Sequence, residues 1–401
     1  MSERLAVCMF DNETVRGGAE EHLLGLLQGL DRARFRPLLA APAALLDLLG
    51  CDLPQDVTLL PIELRSHRQL GRMARLASFL RREQVGVLHS HGFRPSLVAS
   101  PVARFARIPV TVETPHIREY WRKGWKASFA IDRAASRFVD AYIAVSEANG
   151  RYLRDEKKLP AEKIRVIRNG CSLAHFAAAV VVPEGFKQTA GFRAHDPVLL
   201  TAARLEPQKG HAVLLRAMAA LKPEFPALRL VLLGEGSLRE ELASLARELG
   251  LADSVLMPGH SPDTRVWMSA ADVCVLPSFA EGLPLFAIES LAAARPMVAT
   301  AVDGTPEIVL DKRTGLLVPP GDAAALAEAI AEVLRHPQAA AERAMEGACY
   351  VRAEFTIERQ LRETEDLYDL LWTRKTGRVM PTRAEAARIP SEAHACAAGV
   401  D

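Results

Sequence analysis

Short apolar runs alternate along the chain with longer stretches whose apolar positions recur at helical spacing. In the first half, runs at 4–10, 36–41, 57–61, 85–90, 109–113, 141–145 and 164–168 read as strands. In the second half the corresponding runs are 197–202, 228–233, 254–258, 272–276, 296–300 and 315–318. Continuous apolar runs, as opposed to alternating ones, indicate strands covered on both faces. Strands separated by helices then predict parallel, doubly wound α/β sheets. Two such series predict two Rossmann-like domains.

The periodicity fails between Ala177 and Gly191, where Pro183, Gly185 and Gly191 interrupt it. A linker in this region divides the chain into domains at 1–185 and 186–355. Residues 356–375 form a terminal helix, expected to pack back on the first domain. The remainder, 376–401, is rich in alanine, contains Pro381 and Pro390, and is expected to be a disordered tail.

Composition narrows the class. An apolar content of 49% over 401 residues supports two sizeable cores. The net charge of +1 gives no global reason to expect a nucleic-acid partner. Residues 1–185 hold 27 basic against 20 acidic side chains, and 186–401 hold 23 against 29, so the halves carry +7 and −6. Six cysteines without a C-x-x-C pair argue against a zinc or disulfide framework, and Cys8 and Cys274 fall in apolar strands. The chain enters its first strand with no signal-peptide pattern, and no apolar run reaches the ~18–20 residues of a membrane span. A cytoplasmic location is the expectation.

The chemistry-bearing positions cluster where strands end. Glu281 and Glu289 lie eight apart in Pro277-Ser278-Phe279-Ala280-Glu281-Gly282-Leu283-Pro284-Leu285-Phe286-Ala287-Ile288-Glu289. The first falls in the loop after a strand and the second one and a half turns into a helix. In open α/β sheets, ligands bind beyond the strands' carboxyl ends, where such carboxylates can accept hydrogen bonds from hydroxyls. Arg204 and Lys209, in Arg204-Leu205-Glu206-Pro207-Gln208-Lys209-Gly210, follow another strand and precede a helix. A guanidinium, an ammonium and free helix N–H groups can converge there on one anion. Gly234-Glu235-Gly236 forms a tight βα turn, and Gly17-Gly18-Ala19-Glu20 opens a helix after the first strand. His89 and His91 share one strand face, a spacing that suggests a metal, but no third ligand is visible in the sequence. His116 follows the next strand in Thr114-Pro115-His116.

These segments resemble, in order, the motifs of the family 4 glycosyltransferases, which have the GT-B fold: G-G-x-E, H-x-H, T-x-H, R-L-x-x-x-K-G, G-x-G and E-x(7)-E. The likeness covers roughly residues 4–372 and is most specific in the second half. It departs at Ser172, Asp303 and Arg295, where the family commonly has Asp, Gly and Gly. The resemblance implies two Rossmann-like domains facing a cleft, the first on the acceptor side. It implies a retaining sugar transfer from a nucleotide diphosphate sugar to a carbohydrate or lipid-linked acceptor. Arg204, Lys209, Glu281 and His116 would act on the reacting centre. Gly17, Gly18, Gly234, Gly236, Gly282, Leu283, Pro284 and Glu289 would line the donor. Glu20, His89 and His91 would face the acceptor. No cofactor or metal is expected, and no D-x-D motif occurs. An epimerase or glycogen-type synthase of the same fold, or a non-catalytic sugar-nucleotide-binding scaffold, remains open.

A last feature concerns membranes. Arg65, Arg68, Arg72, Arg75, Arg81 and Arg82 occur with no acid between 64 and 82, interleaved with Leu70, Met73, Leu76 and Leu80. Arg118, Trp121, Arg122, Lys123, Trp125, Lys126 and Phe129 form a second basic-aromatic run. Such segments suit an anionic lipid surface, so peripheral membrane contact is a further expectation.

Overall fold

The computed structural model describes residues 4–66, 68–119, 126–173, 176, 183, 185–261 and 263–386. Two all-parallel sheets organise these residues. The first contains β1 (Leu5–Phe10), β2 (Phe35–Ala41), β3 (Thr58–Pro61), β4 (Val85–His91), β5 (Val110–Thr114), β6 (Ala141–Ala144) and β7 (Ile164–Val166). The second contains β8 (Val198–Ala202), β9 (Arg229–Leu233), β10 (Val255–Gly259), β11 (Val273–Leu276), β12 (Met297–Thr300) and β13 (Leu316–Val318). Every strand expected from the pattern is present, with ends displaced by at most two residues. The apolar runs have the predicted cause: β1 and β11 are buried along their whole length, with helices on both faces. Cys8 and Cys274 are core residues of these two strands.

Strand order places the site. The sheets run β3-β2-β1-β4-β5-β6-β7 and β10-β9-β8-β11-β12-β13. Order reverses between β1 and β4 in the first sheet and between β8 and β11 in the second. Doubly wound sheets open a crevice at such switch points. Gly17-Gly18, Arg204–Lys209 and Glu281 follow β1, β8 and β11, and His91 is the last residue of β4.

The chain crosses between domains twice, side by side. Cys171 N–H donates to Phe355 O, and Ile357 N–H donates to Cys171 O, both at 3.2 Å. A side chain at Gly170 would bring its Cβ to 2.1 Å from Thr356 O, so this crossing requires glycine. The helix Ile357–Thr376 then lies on the first domain. Its N-cap Thr356 accepts from Arg359 N–H, and its Leu367, Tyr368 and Leu371 belong to the core around β1 and β4. Tyr368 packs edge-on against Phe35, and Arg34 pairs with Glu365 and Asp369.

The basic segment at 65–82 differs from the membrane expectation. In the helix Leu70–Arg82, Leu76, Phe79 and Leu80 are buried, and Met73 and Ala77 pack against the same core. The apolar face is therefore occupied by the protein itself. Outside it, Arg65 and Arg72 pair with Glu63, and Arg82 with Glu83, which lowers the local cation excess. Of the second basic-aromatic run, positions 120–125 lie outside the described residues, as do 387–401 of the expected 376–401 tail. The tail's described part instead packs on the first domain, with Met380 in the core, Pro381 O accepting from Arg34 Nε at 2.9 Å and Arg383 paired with Glu365. Among the described residues, no helix is long and apolar enough to cross a membrane.

Candidate functional site

The second-domain wall is built from the loops after β8 and β11. Pro207–Lys209 form one 3-10 turn, Gly210 takes the left-handed conformation (φ 68°), and the helix His211–Leu221 follows. Phe279 N–H donates to Gln208 O at 2.7 Å and ties the two loops together. Lys209 Nζ lies 2.7 Å from Glu281 Oε1, and Ser278 Oγ donates to the same oxygen at 2.6 Å. Thr300 Oγ1 donates to Ser278 O at 2.6 Å and steadies the serine's backbone. Glu281 is only 5% exposed and its position is fixed from three sides, because Asp303 Oδ2 also accepts from its N–H at 2.9 Å. Asp303 achieves this with φ 42°, a left-handed conformation that Asp tolerates better than most residues. Burial, above all, raises the Asp303 carboxyl above its ordinary range. Leu283 and Pro284 lead into the helix Leu285–Ala292, which carries Glu289 half-buried. Burial, reinforced by Glu21 across the cleft, pushes Glu289 up to about 7. Gly234 and Gly236 serve a narrower purpose. Their positions crowd the backbone of Ala203 and Leu205, so they let the β9 turn pack under the Arg204 loop.

The first-domain wall is different in kind. Gly17 is the N-cap residue of the helix Gly18–Gly29, and a Cβ on it would lie 3.2 Å from Glu20 Oε2 and 3.5 Å from Arg204 Cδ. The arginine of the second domain thus reaches the glycine loop of the first. Glu20 is buried. Desolvation, with Asp11 adding to it and Arg204 opposing it, pushes its carboxyl up to about 8. Asp11 itself is pushed up to about 7 by burial.

Four histidines gather beyond β4 and β5. His91 Nδ1 and His116 Nε2 are 3.1 Å apart in a shared hydrogen bond, with their rings stacked at 5.4 Å. His22, from the helix Gly18–Gly29, stands edge-on to His116 at 4.8 Å and to His91 at 5.6 Å. Burial and mutual proximity keep all four rings neutral near pH 7: His22 falls to about 4, His89 to about 3, and His91 and His116 well below their ordinary value. His89 does not fit the acceptor role expected for it. It is fully buried, with Nδ1 bonded to Tyr368 Oη at 2.6 Å and Nε2 to Thr114 Oγ1 at 2.7 Å. Both nitrogens are spent on the first domain's core, so His89 braces His91 and does not line the cleft.

The walls touch. A Cβ on Gly282 would fall 1.7 Å from His116 O, so only glycine allows this approach. Ser146 Oγ donates to Gly282 O at 3.1 Å, and Asn169 Nδ2 donates to Leu283 O at 3.2 Å. Glu307 accepts from the N–H groups of Glu147 (3.1 Å) and Ala148 (2.9 Å), which open a short first-domain helix. The structure therefore brings Arg204, Gly17, Gly18 and Glu20 to one point of the cleft, and Lys209, Glu281, Gly282 and His116 to another. The sequence reading did not single out His22, Ser278 or Glu307 as site residues. Ser278 lies inside the 277–289 segment already noted and Glu307 four residues after Asp303, whereas His22 could be found only from its place one turn after Gly18.

Two family models match the chain: "Glycosyltransferase Family 4" over residues 16–175 and "Glycosyl transferases group 1" over residues 184–348. Alpha-maltose-1-phosphate synthase of Mycolicibacterium smegmatis is 30% identical over 312 residues, 71% of this chain and 79% of its own length. A glycogen synthase of Mycobacterium tuberculosis is 29% identical over 291 residues, 70% of this chain and 68% of its own length. Among solved structures, HepE of Anabaena in complex with UDP-glucose superposes with TM-score 0.81 at 21% identity, covering 91% of this chain and 99% of that one. WaaG, a glycosyltransferase involved in lipopolysaccharide biosynthesis, gives 0.71 at 15% identity, covering 92% and 99%. With both walls of the cleft in the expected order and both halves matched, the chain belongs to the group 1, family 4 glycosyltransferases of GT-B fold.

Proposed function

We propose that the protein transfers a sugar from a nucleotide diphosphate sugar to an acceptor hydroxyl with retention of anomeric configuration. The observation that carries this reading is the meeting of Lys209 and Glu281 at 2.7 Å, at the ends of β8 and β11, with Arg204 on the same loop as Lys209 and facing the Gly17 loop. An ammonium and a guanidinium there suit a diphosphate, whose developing negative charge they stabilise as the sugar–phosphate bond breaks. Glu281 accepts hydrogen bonds from the sugar's hydroxyls, and Glu289 accepts from the ribose. His116, neutral and held by His91, contacts the sugar from the other wall. The acceptor oxygen attacks the anomeric carbon on the face the phosphate leaves. The bond to the phosphate oxygen breaks, and the acceptor's proton passes to that oxygen. No step requires a metal ion.

The donor base is approached first through UDP-glucose, because HepE was solved with that ligand. The test is product analysis by NMR after incubation with UDP-, GDP- and ADP-sugars and a panel of glycan and lipid-linked acceptors, with and without EDTA. An α-linked product from an α-linked donor supports the reading, and an inverted product overturns the retaining part. The relatedness to a glycogen synthase favours one rival, a glucan-extending enzyme. Elongation of an oligoglucan primer distinguishes it. Peripheral contact with anionic membrane rests only on the exposed arginines of the helix Leu70–Arg82, so it should be purely electrostatic. Co-sedimentation with anionic vesicles that vanishes at about 0.5 M salt is expected; no binding at low salt eliminates it.

A further inference from the structure

Of the four clustered histidines, three bring one ring nitrogen each into a single small volume. Ligand nitrogens of His22, His91 and His116 lie within 4.8 Å of one another. Zinc–nitrogen bonds of about 2.0–2.1 Å hold tetrahedral nitrogens about 3.4 Å apart, a separation that modest rotations of these rings can reach. Two ring nitrogens single out this volume as a place for a ligand. His22 Nε2 and His91 Nε2 are both buried and have no hydrogen-bond partner. A buried polar atom without a partner is costly and calls for an explanation.

The surroundings of His22 have the form that metal-bound histidines need. Asn169 turns its Nδ2 to Leu283 O, so its Oδ1 faces His22 Nδ1 at 2.8 Å and accepts the proton there. Gln360 Nε2, itself a donor, lies 3.1 Å from the same nitrogen, so the ring proton sits on Nδ1 when His22 answers the shorter Asn169 contact. In that tautomer the buried Nε2 carries the free lone pair. Metal-ligating histidines usually donate their second N–H to a carbonyl or carboxylate in this way. Behind His91, His89 is locked by Tyr368 and Thr114 and limits how far the cluster can shift. Neutral imidazoles suit zinc and the neighbouring divalent transition ions, and magnesium and calcium much less.

We propose that His22, His91 and His116 form a binding site for a divalent transition metal of the zinc type, and that filling it inhibits the enzyme. Inhibition rests on the proposed function, because it follows from engaging His116, which would otherwise contact the donor sugar. The metal is a ligand of the cleft and takes no part in the reaction. Three nitrogens leave one coordination position for water.

The experiment is titration of the full chain, stripped with EDTA and free of affinity tags, with Zn²⁺ by calorimetry and with Co²⁺ by visible absorption, no donor present. The expected result is one saturable site per chain and the intense absorption of tetrahedral cobalt. His22→Ala should abolish it, and Asn169→Ala should weaken it about 10–100-fold by freeing the His22 ring. No saturable uptake, a weak octahedral cobalt spectrum in the unmodified protein, or undiminished binding in His22→Ala would overturn the proposal. The cobalt spectrum decides even if His22→Ala fails to fold. In the transfer assay, Zn²⁺ should slow product formation and EDTA should restore it. Tetrahedral binding without inhibition overturns the inhibitory role. Tetrahedral binding in a protein with no transferase activity overturns the proposed function and leaves the site standing.

Discussion

The two walls of the cleft carry opposite electrostatics. On the second-domain wall the working groups are ions: Arg204, Lys209 and Glu281, the last two in contact. On the first-domain wall, desolvation drives the groups toward their uncharged forms: Glu20 and Asp11 rise to about 8 and about 7, while four histidines fall. This reverses what the charge balance of the halves suggests, since the first half holds the cation excess. Those extra cations sit on exposed surfaces such as the helix Leu70–Arg82. Counting charge by sequence segment reports on the surface, whereas the site's field is set by the few charges that remain where the walls meet. A charged wall grips a diphosphate, and a neutral wall can meet hydroxyls without drawing the phosphate away.

The most damaging change to this contrast is Arg204→Ala. If Arg204 stabilises charge that develops during transfer, its loss should cost about 2–4 kcal/mol, read as a 10²–10³-fold fall in kcat. Nucleotide binding by calorimetry should weaken much less. A parent-like kcat would remove Arg204 from the charged wall.

Next comes the contact between Lys209 and Glu281. Each also meets the donor in the proposed function, so single substitutions mix two effects. A double-mutant cycle with Lys209→Met and Glu281→Gln isolates their coupling, expected at about 0.5–3 kcal/mol in thermal unfolding of the free protein. A coupling near zero would mean that the two act separately, and that the charged wall is not organised by this pair.

How much of this was visible in the sequence differs between the walls for a physical reason. Arg204 and Lys209 share one turn, and Glu281 and Glu289 share one loop-and-helix unit, so local spacing predicts their convergence. The thirteen strands were equally legible, because parallel strands covered on both faces must be apolar throughout. The histidine cluster is assembled from positions 22, 89, 91 and 116, on three separate segments. Only the strand order β1-β4-β5 brings them together, and no local pattern encodes that order. The same cause led to the misplacement of His89. The two-residue spacing correctly puts it on the face of His91, but it cannot show that Tyr368, 279 residues away, returns to claim its ring. The arginine-rich helix was legible as amphipathic, but its pattern could not say whether protein or lipid covers the apolar face.

Glu307 offers a milder test, because it joins the walls without belonging to either surface. Its carboxylate accepts two first-domain N–H groups, and Arg168 Nε lies 3.4 Å from it. Glu307→Ala should loosen closure and raise KM for donor by about tenfold, in line with losing a hydrogen bond to a charged group. Small-angle scattering should show a larger radius of gyration. An unchanged radius and KM would mean that Ser146, Asn169 and the close approach at Gly282 suffice to hold the walls together.

The smallest expected effect probes the neutral wall directly, through Glu20. Its carboxyl titrates near 4.5 when solvated and at about 8 in the folded protein, with burial as the main cause. A raised folded value means that the folded state binds the proton more tightly than the unfolded chain does. The stability this confers is complete below about pH 4.5 and is lost as pH rises toward about 8. Glu20→Gln removes the titration while keeping a neutral, similarly shaped side chain. Its melting temperature should match the parent's near pH 4.5, exceed it by a growing margin up to about pH 8, and then hold a constant gain. A gain of a few degrees is expected on the high-pH side. Saturating nucleotide should leave this pH dependence in place if Arg204 turns toward the phosphates, because Glu20 then loses the cation that favours its charged form. If nucleotide instead erased the pH dependence, Glu20 would be ionising as the ligand binds, and the first-domain wall would be a charged partner to the second.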